Sequence, residues 1–167
     1  MDDFDAFVRQ HGNEFARLAF LLAGDRGHAE DLVQGVLLNV HKKWARISEI
    51  ERPVAYVRTM IAREHISWRR RHYTAEVVTD AHVILSVDRT ASDHADTIAR
   101  RDATWERLSA LSKRQRAVIV LRYYLDLTDD EIAQVLDCSK ATVRSHATRA
   151  LRSLRESSDT LSEETLT

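Results

Sequence analysis

Residues 128–155 read TDDEIAQVLDCSKATVRSHATRALRSLR, and this stretch decides the fold of the C-terminal part of the chain. Thr128 and Glu131 have the spacing of a capping box, which predicts that a helix starts at this point. Residues 136–138 (LDC) follow as a tight turn, and Ser139 is a suitable cap for a second helix. The order helix, tight turn, helix predicts a helix-turn-helix.

Small and apolar residues within the same stretch support this prediction. Ala133 lies where two helices of such a motif cross closely, so a small side chain is required. Asp137 occupies a turn position that needs a left-handed backbone, which Asp tolerates better than most residues. Val143, Ala147 and Leu151 are spaced to face inward from the second helix. Charge alone would not distinguish the motif from an ordinary helical hairpin with a solvated face, but these features together favour it.

The opposite face of the second helix is polar and cationic. Its candidate DNA-contacting residues are Ser139, Lys140, Thr142, Arg144, Ser145, His146 and Arg149. An exposed helix of this kind fits the major groove of DNA. Arg144 is the best candidate for a bidentate contact with guanine, whereas Lys140 and Arg149 are better placed for phosphates.

The composition is typical of a folded, helix-rich protein. The 167 residues are 44% hydrophobic and 31% charged, with four glycines and one proline, so we expect an all-α fold. The formal net charge is −1, so any DNA contact must come from local clusters of cations. Cys138 is the only cysteine, which excludes an intrachain disulfide and favours a reduced, cytoplasmic setting.

Three zones precede the C-terminal tail. Residues 1–74 have helical periodicity, with Asp25 as a helix cap, a loop at 47–52 and Pro53 in the first turn of a third helix. Residues 75–100 change to Asp, Thr, Ser and Ala and predict a linker, in which Val83–Leu85 is a docking point or a stray strand. Residues 101–156 are helical again, with a capping box at Ser112. Residues 157–167 predict a frayed, polar tail. The architecture is thus two small helical domains joined by a linker.

Several classes of function lack support in the sequence. The eight histidines include no pair at the spacing of a zinc-protease helix, and we expect no metal site. There is no glycine-rich phosphate loop and no nucleophile motif, so we expect no catalytic residue, no cofactor and no enzymatic activity. The N-terminus lacks the apolar run of a signal peptide, and no stretch approaches the length of a membrane span, so we expect no membrane association.

With these motifs in place, the chain resembles a sigma factor of the sigma-70 family, in its extracytoplasmic-function (ECF) group. In the C-terminal half the resemblance rests on Leu111-Ser112, Gln115-Arg116, Leu121-Arg122-Tyr123, Asp126-Leu127-Thr128, Glu131-Ile132-Ala133, Cys138-Ser139, Thr142-Val143-Arg144-Ser145 and Arg149-Ala150-Leu151. In the N-terminal half it rests on Ala29-Glu30-Asp31-Leu32-Val33-Gln34, Pro53-Val54-Ala55-Tyr56-Val57-Arg58 and Trp68-Arg69-Arg70-Arg71. Both sets in this order make the resemblance specific.

The resemblance implies a role for each zone. Residues 1–74 resemble sigma domain 2, in which Asp31, Gln34 and Leu37 match the surface that binds core RNA polymerase. The third helix matches the part that recognises and melts the −10 promoter element, and residues 101–156 resemble sigma domain 4, which reads the −35 element. The −10 contacts would come from Tyr56, Arg58, Arg63, Arg69, Arg70 and Arg71. Gly35 and Arg63 depart from many relatives, which carry an acid and Asn at these positions.

Two rival functions stay open at this level. A stand-alone helix-turn-helix repressor or activator would use residues 1–74 for dimerisation or sensing, and a sigma mimic would sequester a regulator without touching DNA. The resemblance instead implies a promoter-specificity subunit that is a monomer when free and whose partners are core RNA polymerase and promoter DNA. Sequestration by an anti-sigma factor is common in the family, and the sequence does not decide it.

Overall fold

The computed structural model describes residues 3–76 and 103–164, and both ranges consist of helices joined by short turns. No strand occurs within them, so the predicted all-α fold is confirmed. The predicted linker, with Val83–Leu85, lies outside the described residues from position 77 onward. Its first two positions are still helical.

Long amphipathic helices form the N-terminal region. They are α1 (Asp3–Ala23), α2 (Arg26–Lys42) and α4 (Pro53–Glu76), with the short helix α3 (Trp44–Ile47) between α2 and α4. Their buried apolar residues recur at helical spacing and include Phe15, Leu18, Leu22, Leu32, Val36, Val40, Val57 and Ile61. Each large side chain of this kind contributes about 1.5–3 kcal/mol when it is removed from water.

Local chemistry sets where these helices begin. Asp25 has an extended backbone, and its carboxylate accepts a hydrogen bond from the His28 amide at 2.8 Å, so the predicted cap of α2 is confirmed. Pro53 begins α4, where its missing N–H removes no helical hydrogen bond. The predicted loop starts one residue later than expected, because Ile47 ends α3 and is buried.

Shorter helices build the C-terminal region. These are α5 (Ala103–Ser109), α6 (Lys113–Ile119) with a π-helical segment (Val120–Tyr124), α7 (Asp129–Leu136) and α8 (Lys140–Glu164). Both predicted capping boxes are present: Ser112 with Gln115 starts α6, and Thr128 with Glu131 starts α7. Helices α7 and α8 form the predicted helix-turn-helix around buried Ile132, Val143 and Ala147.

The prediction of a frayed tail for residues 157–167 was wrong for residues 157–164, because α8 continues to Glu164. The hydroxyls of Ser157 and Ser158 donate to the carbonyls of Ser153 and Leu154, four residues earlier. Arg107 of α5 also donates to the Ser158 hydroxyl. Packing of α8 against α5 thus supports a polar stretch that periodicity alone would leave frayed.

The N-terminal and C-terminal regions pack against each other. The rings of Phe20 on α1 and Trp105 on α5 lie 4.8 Å apart between centroids. The Arg116 guanidinium lies 5.2 Å from the Trp105 ring and donates to the Leu22 carbonyl at 3.4 Å. Gly24 makes this close approach possible, since its φ is +71° and a Cβ there would lie 3.1 Å from Trp105. These contacts fix how the two regions are oriented relative to each other.

Candidate nucleic-acid interface

The outward face of α8 is presented by the turn that precedes it. Asp137 adopts the left-handed backbone expected for the turn, with φ 52° and ψ 54°. The Ser139 hydroxyl accepts from the Thr142 amide at 3.1 Å and so caps α8 as predicted. Burial of Val143 then turns the Arg144 side chain outward, where it is 63% exposed. A helix held in this way can enter a major groove.

Carboxylates of α7 hold two of these cations in place. Lys140 pairs with Asp130 at 3.3 Å, and Arg144 pairs with Asp129 at 3.4 Å. Asp129 also pairs with Arg122, and this hydrogen bond, followed by that from Arg144, lowers the pKa of the Asp129 carboxyl. Lys140 and Arg144 are themselves exposed, and ion pairs at a surface are worth little and are screened by salt, so nearby phosphates or base edges can replace their carboxylate partners.

The seven predicted −35 residues do not form one uniform surface. Ser139, Lys140, Arg144, Ser145 and Arg149 are exposed, whereas Thr142 and His146 are half-buried. His146 was expected on the outward face, but it turns toward α4 and lines a cavity with Arg69 and Arg70. Burial, then Arg114 and Arg149, lower the pKa of His146, so its neutral form is favoured. The sequence could not show this, because the neighbour comes from the other region of the chain.

The predicted −10 residues of α4 divide between two faces. Tyr56, Arg63 and Arg70 are seven residues apart and lie on one exposed face. Arg58 and Arg69 are half-buried and lie roughly 100–160° around the helix from these three residues, whereas Arg71 is exposed at the flank of the first face. A flipped base and a single-strand backbone could therefore meet Tyr56, Arg63 and Arg70 together, but not all six predicted residues at once.

Most of the α4 cations already have partners in the structure. Arg58 forms an ion pair with Glu14 of α1, and Arg71 lies 3.2 Å from Glu64 on its own helix. Arg70 is 3.8 Å from Asp137, in the turn of the helix-turn-helix. Burial, followed by the charge of Arg114, lowers the pKa of Arg69. One set of cations is therefore held within the N-terminal region, and the other faces the C-terminal region.

Trp68 belongs to a ring stack within the N-terminal region. Its ring lies 3.7 Å from His28 and 4.1 Å from His72 between centroids. The neighbouring His65 is buried, and burial together with Arg69, His28, Arg116 and Lys113 lowers its pKa from 6.5 to about 3. In this stack Trp68 packs against residues of its own region, which favours a packing role over that of a stacking platform for bases.

The polymerase-binding residues expected on α2 lie on one side of that helix. Asp31 and Gln34 are exposed and Leu37 is half-buried. Next to them Leu38 is 62% exposed, although it was not singled out from the sequence. An open cavity of about 420 Å³ lies here, lined by Phe4, Asp5, Val8, Gln34, Leu37, Leu38 and His41. Three consecutive apolar residues, Val36 to Leu38, could have revealed it, since a helix cannot bury all of them on one side.

Comparison with known proteins identifies the family. The family description "Sigma-70 region 2" matches residues 7–74, and "Sigma-70, region 4" matches residues 101–154. The RNA polymerase sigma-E factor of Streptomyces avermitilis is 32% identical over 154 residues, which cover 92% of this chain and 84% of that protein. The ECF RNA polymerase sigma factor SigL of Mycobacterium tuberculosis is 30% identical over 151 residues, covering 90% and 85%.

The chain belongs to the sigma-70 family. This sigma factor is a promoter-specificity subunit that binds core RNA polymerase and promoter DNA and directs initiation, and its place in the ECF group is confirmed. A solved sigma factor, RpoE of Bartonella quintana in complex with the anti-sigma factor NepR, has the same fold. Its TM-score is 0.60 at 24% identity, and the alignment covers 93% of this chain and 96% of that one.

Two further observations concern metal binding and membrane spans. In the part of the chain that the structure describes, no group of three or more His, Cys, Asp or Glu side chains could hold a metal ion. No helix among the described residues combines the length and hydropathy of a membrane span.

Cys138 is half-buried in the turn, where burial raises the pKa of its thiol. Cys138 also lies at the edge of a cavity, which keeps one side of it open.

Proposed function

We propose that this sigma factor divides promoter recognition among three surfaces. The α2 surface of Asp31, Gln34 and Leu37 binds core polymerase, the exposed face of α4 engages the −10 element, and the outward face of α8 reads the −35 element. The observation that carries the proposal is the outward, 63% exposed Arg144 directly beside the fully buried Val143. A side chain that is fixed at its base and exposed at its tip suits direct readout of a base edge, once the ion pair with Asp129 is exchanged for that contact.

Engagement of both promoter elements requires the two regions to separate. In the structure the two regions are in contact, an arrangement that we call closed. One cavity is then lined by residues of both regions, among them Arg69, Arg70, Thr142 and His146, so the N-terminal half of α8 and the end of α4 partly cover each other. Tight binding of promoter DNA by the free protein is therefore disfavoured. Asp31 and Gln34 are exposed in this arrangement, so polymerase can bind there, and this binding would supply the free energy for opening.

The decisive experiment is run-off transcription with purified core polymerase on a library of promoters. We expect initiation at a defined pair of −35 and −10 sequences only when the protein is present. A stand-alone repressor or activator would bind duplex DNA tightly without polymerase, and a sigma mimic would support no transcription. Either of those results would reject the proposal.

Arg144→Ala tests the −35 reader. We expect the mutant to lose about 1–3 kcal/mol of discrimination at a single base pair of the −35 element, because one bidentate contact is removed. Selection of active promoters from the library measures this directly. Arg155→Ala is the control, since it removes an equal charge from an exposed position further along α8. An unchanged base preference in Arg144→Ala would remove Arg144 from the reading surface.

Asp31→Ala tests the polymerase contact. We expect weaker binding to core polymerase and a smaller salt dependence, because an exposed carboxylate at an interface acts through charge complementarity. Glu30→Ala, at the neighbouring position on α2, is the matched control. Fluorescence anisotropy of labelled protein titrated with core measures both. Equal affinities for Asp31→Ala and wild type would contradict this role.

The proposal also covers the location, the oligomeric state and the lack of catalysis of the protein. The protein acts in the cytoplasm, is monomeric when free, and has no catalytic activity of its own, as expected of an initiation factor. An anti-sigma factor, like the one in the solved Bartonella quintana complex, is a further candidate partner. Affinity purification from the native bacterium with and without the inducing stress would reveal such a protein.

A further inference from the structure

A cavity of about 360 Å³ lies between α4 and the helix-turn-helix. Its lining residues are Ile66, Arg69, Arg70, Arg114, Leu136, Cys138, Thr142 and His146. The volume is at the lower end of that found for small-molecule sites. Both regions of the chain contribute to it, so the cavity exists only in the closed arrangement.

The lining carries an excess of positive charge. Three guanidinium groups, those of Arg69, Arg70 and Arg114, meet there, and none of the described lining residues is acidic. The adjacent carboxylate of Asp137 lies 3.8 Å from Arg70 and is 83% exposed, so solvent screens it. Within the described ranges, Arg69 and Arg114 have no ion-pair partner.

Contacts outside the cavity hold these like charges together. The Phe20–Trp105 ring contact and the hydrogen bond from Arg116 to the Leu22 carbonyl seat the two regions on each other. Arg116 is itself buried. Its burial lowers the pKa of its guanidinium, and the positive charge of Arg69 lowers it further. The closed arrangement therefore concentrates cations that repel one another, and an anion in the cavity would relieve that repulsion.

The shape of the lining narrows the chemistry of this anion. Guanidinium groups are planar forks that bind phosphate oxygens in pairs. Ile66, Leu136 and Cys138 supply an apolar wall on which a neutral part of the ligand can pack. A carboxylate alone would satisfy one fork, whereas a group with two or more negative charges can engage arginines from both regions.

We propose that this cavity binds a small phosphate-bearing anion with at least two negative charges, held between Arg69 of α4 and Arg114 of α6. The bound anion joins the two regions and stabilises the closed arrangement. If the proposed division of promoter recognition also holds, the ligand lowers promoter binding by keeping α4 and α8 together. Binding itself does not depend on that function and can be measured without polymerase.

Isothermal titration calorimetry of the full chain tests the site, with inorganic pyrophosphate and guanosine diphosphate as probes at low ionic strength. We expect saturable binding of one anion per chain. Arg114→Gln and Arg69→Gln should each weaken it roughly ten- to a hundredfold, because a charge-assisted pair of hydrogen bonds is lost. Arg155→Gln, an equal loss of charge on α8 away from the cavity, should bind as wild type does. Circular dichroism checks that each variant is folded, and Arg114 is exposed enough to be replaced safely.

Cys138 provides a second readout, since it is the only cysteine and lies in the cavity lining. Pyrophosphate should slow its alkylation by iodoacetamide in wild type and in Arg155→Gln, but not in Arg114→Gln. Binding without saturation, or equal affinity in Arg114→Gln and Arg155→Gln, would overturn the proposal. A short DNA duplex that protects Cys138 when pyrophosphate does not would also overturn it, by assigning these arginines to the DNA backbone alone. Failure of the proposed function would instead show as absent run-off transcription in reactions without the anion, while calorimetry still detects anion binding.

Discussion

The N-terminal and C-terminal regions reach a helical fold by different means. The N-terminal region uses helices of 21, 17 and 24 residues whose apolar faces pack along their length. The C-terminal region starts with helices of 7, 7 and 8 residues, which are too short to be stable in isolation. Two of these short helices begin with a capping box, and α7 ends in a left-handed residue. Burial of apolar side chains thus dominates the N-terminal region. In the C-terminal region, hydrogen bonds and backbone angles at the helix ends also fix where the helices begin and end.

This difference matters for function, because the cap of α7 also sets the geometry of the DNA-reading surface. Thr128 fixes the start of α7, Asp137 fixes its end, and Asp129 in its first turn holds Arg144. The α2 surface, in contrast, lies on a helix whose position follows from buried Leu32, Val36 and Val40. Single polar substitutions should therefore affect the C-terminal region more than the N-terminal one.

The largest expected effect is on the N-terminal core. Phe15→Ala should lower the free energy of unfolding by about 3–5 kcal/mol, because the ring is fully buried and its removal leaves a cavity. Urea unfolding followed by circular dichroism measures the change. Leu38→Ala is the control, since Leu38 is 62% exposed and its loss should cost less than about 0.5 kcal/mol. Similar losses in both variants would contradict the view that burial dominates this region.

A smaller effect should follow from pH, through His65. Burial is the first cause that lowers the pKa of His65 from 6.5 to about 3. Between these values the unfolded chain binds a proton at this side chain and the folded chain does not, so stability falls as the pH falls. The slope from this group approaches about 1.4 kcal/mol per pH unit below the unfolded value.

Urea unfolding of wild type and His65→Gln at pH 7.5, 6.0 and 5.0 measures this slope. We expect the mutant to show a shallower decline than wild type over the same range. His28 and His146 also have lowered pKa values and remain in both proteins, so the difference between the two curves isolates His65. Parallel curves would show that His65 is protonated equally in the folded and unfolded states.

The smallest effect should come from the cap of α7. Thr128→Ala should cost about 1 kcal/mol, since the Glu131 amide loses the hydroxyl that accepts its hydrogen bond. Thr128→Ser keeps that hydroxyl and should stay close to wild type. Thermal unfolding measures both. If Thr128→Ser were as destabilised as Thr128→Ala, the methyl group rather than the hydrogen bond would be responsible, and the comparison of the two regions would weaken.

Features encoded within a few neighbouring residues were predictable from the sequence. Both capping boxes, the Asp25 cap, the placement of Pro53 and the left-handed Asp137 were expected and are present. Each depends on a hydrogen bond or a backbone angle that spans at most four residues. The helix-turn-helix and the all-α class followed from these local signals together with helical periodicity.

Features that depend on distant neighbours were not predictable in the same way. The predicted −10 residues were grouped by charge and resemblance, yet α4 divides them between two faces, and Arg58 pairs with Glu14 of α1. The sequence also did not reveal the exposure of Leu38 beside the α2 surface or the inward orientation of His146, since it does not give the rotation of a helix about its axis. The helical residues 157–164 escaped notice as well, because their support comes from α5.

The sequence by itself determined the helices, the caps that start them and the cationic face of α8, because these follow from backbone hydrogen bonding and from the period of the α-helix. Only the tertiary structure decided that Arg116 is buried beside Trp105, that burial lowers the pKa of His65, and that Arg69 and Arg114 share a cavity. The physical reason is that burial and charge crowding depend on which surfaces meet. Residues 69 and 114 meet only because α1 and α4 pack against the helices of the C-terminal region.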